Sequence, residues 1–214
     1  MPTLSELRSK ELLRGFGVPF PEERVAATAD EAVRAARDVG YPVVAKLGGP
    51  GIAHKTERGL VRLGLGSEAQ VREAAASLLA AATPEDGDVH LLVAPHLRAT
   101  RELIAGLHHD PQFGATVMLG IGGVLAEAVA DVSFRLVPIA RVDALEMLDD
   151  LALQDLLGAF RGEPPVDRGA VADVAVSLSE AAVRRPEVAA VDLNPLLVVD
   201  GRPVAVDALV EVRP

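Results

Sequence analysis

Apolar positions recur with two different periods along this 214-residue chain, and the changes of period mark out its elements. Leu4, Leu7, Leu12 and Leu13 are spaced for one face of a helix over residues 3–15, which Gly15 and Gly17 end. A short strand at Glu23–Ala27 precedes Thr28-Ala-Asp-Glu31, a capping-box pattern that opens a helix to about Asp38. Gly40-Tyr-Pro42 breaks that helix, and the apolar run Val43–Leu47 reads as a buried strand. A glycine-rich loop follows, then a strand at Leu60–Leu65 and a helix over Ser67–Ala82.

The turn residues Thr83–Gly87 mark a boundary between lobes. Beyond it, His90–Leu97, Glu102–His108 and Ala115–Leu119 read as strands, and Gly120-Ile-Gly-Gly123 interrupts the series. A further strand is predicted at Phe134–Ile139, and helices over Val142–Phe160 and Gly169–Val183. The chain ends in a hairpin: Val191–Val199, an Asp200-Gly201 turn, and Pro203–Leu209. Helices mixed with antiparallel strands predict an α/β fold with α+β mixed sheets, in lobes 1–88 and 89–214 with a cleft between them.

Composition narrows the chemistry. Half the residues are hydrophobic but only 3% are aromatic, so Ala, Val and Leu must fill the core. A net charge of −10 argues against binding a nucleic-acid backbone, while a nucleotide needs only a local patch of donors. With no cysteine, disulfides and thiolate metal sites are excluded, in keeping with a reducing compartment. The N-terminal residues carry charges where a signal peptide is apolar. The charge-free segment Pro111–Ala126 is shorter than the ~20 residues of a spanning helix. A cytoplasmic protein without a membrane partner is expected.

Arginine supplies nearly all the basic residues, so the three lysines, at 10, 46 and 55, stand out. Lys46 sits where an apolar strand runs out, between Ala45 and Leu47. Either it snorkels to water or it faces a cleft with an anionic partner. The following Gly48, Gly49 and Gly51 would let backbone N–H groups approach an anion, as turns also require. His54, beside Lys55 and Thr56, is either a solvated loop residue or a phosphoryl acceptor that Glu57 could orient.

The hairpin offers a second constellation. A two-residue turn at Asp200-Gly201 places Val199 opposite Arg202 and Asn194 opposite Asp207. Period two puts Asp192 on the same face as Asn194. Two carboxylates and an amide oxygen are hard ligands suited to Mg²⁺; the alternative is that Asp192 and Asn194 end a strand before Pro195. Glu102 and Glu127 are candidates to line the cleft, Gly120, Gly122 and Gly123 permit close backbone approach to an anion or serve tight turns, and the side chains of His90 and His96 read as structural.

Taken together, SKELLRGFGVPFPEE, GYPVVAKLGGPGIAHKTERGLVRL, RELIAGLHHDPQFGATVMLGIGGVLAE, SFRLVPI and VDLNPLLV…AVDA resemble the ATP-grasp domain, or β subunit, of NDP-forming acyl-CoA synthetases, in particular ADP-forming acetate–CoA ligase. The resemblance implies an ATP-grasp fold and an acid–thiol ligase that uses Mg²⁺ and ATP/ADP. By its motifs, Lys46 corresponds to the lysine on the nucleotide phosphates and Val93, Ala94, Pro95 and His96 to the hinge that meets adenine through backbone atoms. Glu102 corresponds to the acid at the ribose or adenine end, Asn194 and Asp207 to the Mg²⁺ pair, and His54 to a phosphohistidine relay.

It also implies a separate CoA-binding α subunit in a hetero-oligomer. The sequence departs from the family at Gly49-Pro50-Gly51, where Ser-Pro-Asp is usual, and at Ala94-Pro95, where the hinge often carries a polar or acidic residue. A nucleotide-sensing module with the same fold and no catalysis is the alternative reading.

Overall fold

A computed structural model describes residues 1–52, 55, 58–123 and 129–213. Packing divides the chain into two units: Ser5–Leu7 with Pro21–Leu97, and Met1–Leu4 with Arg8–Phe20 and the chain from Arg98 onward. The expected boundary after residue 88 is thus corrected to Leu97. The strand at residues 90–95 pairs with two strands of the first sheet, and this fixes it in the first unit.

The first unit is a four-stranded antiparallel sheet in the order β1-β4-β2-β3, with β1 Arg24–Ala26, β2 Val43–Gly48, β3 Val61–Leu65 and β4 His90–Pro95. Helices α2 (Ala29–Val39) and α3 (Glu68–Ala80) cover one face, burying Val33, Val71 and Leu78 against Val43, Ala45 and Leu47. Both helices start where the sequence places a cap. Thr28 Oγ1 accepts from Glu31 N at 3.2 Å and Ser67 Oγ from Gln70 N at 3.3 Å. The other half of the Thr28 box is shifted by one residue, since Glu31 Oε2 accepts from Ala27 N at 2.7 Å. Period two turns Val44 and Lys46 to the opposite face, and all six residues of β2 are buried.

The second unit is a six-stranded sheet in the order β10-β8-β5-β6-β7, with β9 also on β8. Its strands are β5 Glu102–Asp110, β6 Gly114–Ile121, β7 Val132–Leu136, β8 Val188–Val199, β9 Arg202–Ala205 and β10 Leu209–Val212. Helices α4 (Arg141–Asp149) and α5 (Arg168–Arg184), with the later part of α1 (Glu6–Arg14), pack in the core that buries Leu103, Leu119 and Leu193.

Two predicted elements are shorter than expected. The helix predicted to Phe160 ends at Asp149. Gln154 Nε2 donates to the carbonyls of Leu148 and Leu151, each at 2.7 Å, and Asp131 accepts from the N–H groups of Ala152 and Leu153. Leu151 and Leu157 continue the apolar rhythm into the core but do so from turns. The strand predicted at Phe134–Ile139 lies at Val132–Leu136, set by pairing of Phe134 with Met118. No helix among the described residues is long and apolar enough to cross a membrane.

Candidate functional site

Lys46 lies on β2 and is only 9% exposed; its Nζ is 2.8 Å from Glu6 Oε1. The other oxygen of Glu6 is 2.9 Å from Lys55 Nζ. Lys46 therefore does not snorkel to water: it faces an anionic partner, which the first turn of α1 supplies. Glu6 has no counterpart in the helix pattern, where an acid in the first turn reads as a solvated, dipole-complementing residue. Its only advance signal is the rarity of the lysines it holds.

The loop after β2 has a different origin from the one expected. A Cβ on Gly48 would lie 2.8 Å from His90 Nε2, and one on Gly49 2.8 Å from the Asp86 carbonyl oxygen. A Cβ on Gly51 would overlap the Glu85 carbonyl oxygen outright. Gly51 N donates to Asp86 O at 3.2 Å. Gly49 and Gly51 are required by close packing against the 3₁₀ turn Pro84–Asp86, so packing against protein accounts for them without an anion.

Thr83–Gly87, expected as a lobe boundary, is instead the support of this loop. Asp86 is buried and takes Arg58 in a two-pronged pair at 2.7 and 2.9 Å. It also accepts from Thr83 N at 2.8 Å. The guanidinium of Arg58 and the Thr83 N–H hold its carboxyl well below the usual carboxylate range. Burial lowers His90, opposed by the charge of Glu6. His54 lies outside the described residues, as do Thr56, Glu57 and Glu127.

Along β4, Val93 and Ala94 are buried, and Pro95 and His96 are half-buried. His96 N donates to Pro42 O at 2.9 Å and Leu97 N to Pro95 O at 3.1 Å. Two backbone groups of the expected hinge are therefore already committed within the chain.

In the second unit, Glu102, Gly122 and Gly123 come together around a cavity of about 170 Å³. Gly122 N donates to Glu102 O at 2.7 Å. Gly123 has a φ of 93°, which favours glycine, and a Cβ there would stand 4.0 Å from Glu102 Oε2. Beside them Arg101, 4% exposed, donates to the carbonyls of Gly158 and Pro164 and pairs with Glu163 at 3.2 Å. It ties the 156–166 segment to the cavity wall, a role the sequence does not announce.

The hairpin register holds. Val199 pairs with Arg202 and Leu196 with Ala205, and the same alignment resumes where Asp192 pairs with Leu209. The flanking pairs thus put Asn194 and Asp207 at matching places in the register, between the two paired stretches. The single strand expected at 203–209 is broken at 206–208, so Asp207 sits at a corner rather than in a ladder. On β8's other edge Leu103 pairs with Leu196 and Ala105 with Leu193, which makes Asn194-Pro195 a bulge. A bulge re-aims side chains, and here it contains one exposed position, Asn194, and follows another, Asp192.

Asp207 is half-buried, and its Oδ1 accepts from Ala208 N at 2.9 Å. Asp192 lines a concavity of about 360 Å³ on the open face of the sheet. Although the residue is exposed, desolvation in that concavity raises its pKa, and the charge of Asp207 raises it further. Two carboxylates held close enough to repel are hard ligands of the kind a divalent cation takes. No group of three His, Cys, Asp or Glu suited to a metal occurs among the described residues, so Asn194 is needed to complete the set.

Residues 2–212 match the model of an ATP-grasp domain. The chain belongs to the ATP-grasp domain family. It is 39% identical over 208 residues to the β subunit of acetate–CoA ligase [ADP-forming] I of Pyrococcus furiosus, covering 96% of this chain and 90% of that one. It is also similar to a dinucleotide-forming acetyl-coenzyme A synthetase 1 of Ca. Korarchaeum cryptofilum in complex with coenzyme A and Ca-AMPCP. That match has a TM-score of 0.91 and 36% identity, and covers 99% of this chain and 94% of that one. A second complex of that synthetase, with coenzyme A and Mg-AMPPCP, has its phosphohistidine segment pointing towards the nucleotide binding site; here the TM-score is 0.84 at 36% identity, covering 99% and 93%. The ATP-grasp architecture expected from the sequence is thereby established.

Proposed function

We propose that this chain is the nucleotide-binding β subunit of an ADP-forming acyl-CoA synthetase of the acetate–CoA ligase type. The observation that carries the reading is the match with such a β subunit over nine-tenths or more of both chains. The reaction is acyl-CoA + ADP + phosphate ⇌ carboxylate + CoA + ATP. A separate CoA-binding α subunit supplies the remainder of the machinery in a hetero-oligomer.

Within this chain, Lys46 binds the nucleotide phosphates, and the backbone of Val93–His96 meets the adenine. Glu102 takes the ribose or adenine end, where the cavity beside it offers room, and Gly122 and Gly123 let the backbone approach the nucleotide closely. Asn194, Asp207 and Asp192 hold Mg²⁺, which when bound supplies positive charge against the phosphate oxygens. His54 carries the phosphoryl group in transit: its N–P bond breaks as a P–O bond forms to the terminal phosphate of ADP. The positive charge of Lys46, fixed in a buried position before the nucleotide arrives, needs no reorganisation during transfer.

Similarity to synthetases favours the enzyme over a nucleotide-sensing module. The site assignment is tested by titrating Mg-ATP into the protein and its Lys46→Ala and Asp207→Ala variants. Loss of binding in both supports the reading, and unchanged affinity in both contradicts it.

A further inference from the structure

Arg101 is 4% exposed, and a guanidinium is buried that deeply only when its donors are taken. Nη1 donates to the carbonyl oxygens of Leu156 at 3.3 Å and Gly158 at 2.9 Å, and Nη2 to that of Pro164 at 2.6 Å. Nε donates to Glu163 Oε2 at 3.2 Å. These acceptors lie on one short segment, which folds into a small hairpin. Phe160 and Glu163 exchange backbone hydrogen bonds around Arg161-Gly162, where both φ values are positive, and Val166 N donates to Leu157 O at 2.9 Å. Thr100 Oγ1 donates to Glu163 Oε1 at 2.7 Å, so two successive residues grip the hairpin. Its far end is tied down by Asp167 N, which donates to Gly201 O at 2.7 Å.

The hairpin is one wall of the cavity beside Glu102: Leu156 and Val166 line it, together with Leu103 and Ile121. Apolar side chains thus face a space that also holds a carboxylate. That combination suits a nucleoside, which has a base face to cover and hydroxyls to donate. We infer that Arg101 is a positioning residue for nucleotide binding, which holds Leu156 and Val166 where the nucleoside packs against them. The inference rests on the proposal that Glu102 takes the ribose or adenine end. Arg101 acts through the hairpin, on which four of its five N–H groups are spent. A lysine would keep the charge, but one ammonium cannot span acceptors arranged around a planar fork.

The test compares affinity for Mg-ATP with affinity for Mg-tripolyphosphate, which has a phosphate chain and no nucleoside. Both are measured on Arg101→Lys, Leu156→Ala, the pair and Glu102→Gln, with a melting curve of each protein. Arg101→Lys and Leu156→Ala are each expected to weaken Mg-ATP binding by about two- to thirtyfold, the range by which residues without ligand contact shift affinity. Tripolyphosphate affinity should stay at the wild-type value. In the pair the losses should fall short of multiplying, because both changes act on the same wall.

Wild-type Mg-ATP affinity in Arg101→Lys, with binding weakened in Glu102→Gln, overturns the inference and leaves the Glu102 site standing. Equal losses for both ligands show a general loosening of the fold and overturn the positioning role, as do losses that multiply in the pair. Unchanged Mg-ATP affinity in Glu102→Gln overturns the placement of Glu102 itself. Should Arg101→Lys lose its melting transition, Glu163→Ala decides, since it frees Arg101 Nε and Thr100 Oγ1 but leaves the three carbonyl bonds. A loss confined to Mg-ATP supports the inference there, and wild-type affinity overturns it.

Discussion

The ammonium of Lys10 donates to the carbonyl oxygen of Val206 at 3.0 Å, one residue before Asp207. Lys10 is fully buried, and its cation also lies 5.8 Å from the Phe20 ring centroid. This bond pins the backbone at the break between β9 and β10, where the candidate metal carboxylate stands. Lys10→Met keeps the apolar stem and removes the donor. Outer partners of metal ligands typically contribute 10–100-fold in affinity. The Mg²⁺ concentration for half-maximal ATP binding should therefore rise about tenfold or more in this variant.

Asp192 has the opposite problem, a charge that its surroundings disfavour. Its pKa is raised by desolvation and by the Asp207 carboxylate. A raised acid contributes stability while protonated, and that contribution is lost as pH rises through its folded pKa. Without Mg²⁺, the melting temperature should carry a component that falls as pH rises from about 4 through the titration of Asp192. Mg²⁺ should restore stability at neutral pH and have little effect below pH 4. Asp192→Asn should abolish both effects, as read by thermal melts across pH with and without Mg²⁺.

Gly49 and Gly51 stand where the resembling family keeps serine and aspartate, yet Gly49→Ser and Gly51→Asp should not improve this protein. Each new Cβ would press on the carbonyls of Glu85 or Asp86. Overpacking of this kind costs about 1–3 kcal/mol. Both variants should melt at lower temperature, Gly51→Asp the more so, and nucleotide affinity should fall with them. A gain in stability from either would refute the packing explanation.

Asp86 ties the same region to acid. Its carboxyl is held low by Arg58 and the Thr83 N–H, so its stabilisation is present above the unfolded value near 4 and lost as pH falls towards the folded one. Asp86→Asn should destabilise the protein at pH 7 and flatten the acid limb of its melting profile. A profile parallel to wild type would show that the Arg58–Asp86 pair does not govern acid stability.

Much of the fold is legible in the sequence because its signals are local. Thr28 and Ser67 cap the helices they precede, and Asp200-Gly201 sets a register that carries through to Asp192 and Leu209. Non-local causes are not legible. A glycine needed for a ligand and one needed for a neighbouring turn look the same, so Gly49 and Gly51 read as an anion cradle until the Pro84–Asp86 turn is seen beneath them. Apolar residues at 151 and 157 prolong a helical rhythm although the chain reaches the core there by turns.

Glu6 and Lys10 were hidden for a related reason, since both fit an ordinary amphipathic helix. Composition held the clue: a chain that uses arginine almost everywhere keeps all three of its lysines buried, at 10, 46 and 55. A lysine tolerated in such places has a fixed partner, and following each to its partner leads to Val206 or Glu6.

The central claim is phosphoryl transfer through His54 with an α partner, and one labelling measurement addresses it. The protein is incubated with Mg²⁺ and γ-labelled ATP, with and without a CoA-binding α subunit of an ADP-forming synthetase. Acid-labile, base-stable label on this chain that vanishes in His54→Asn is the predicted result. Label that never appears with a competent α subunit, or that persists unchanged in His54→Asn, would contradict it.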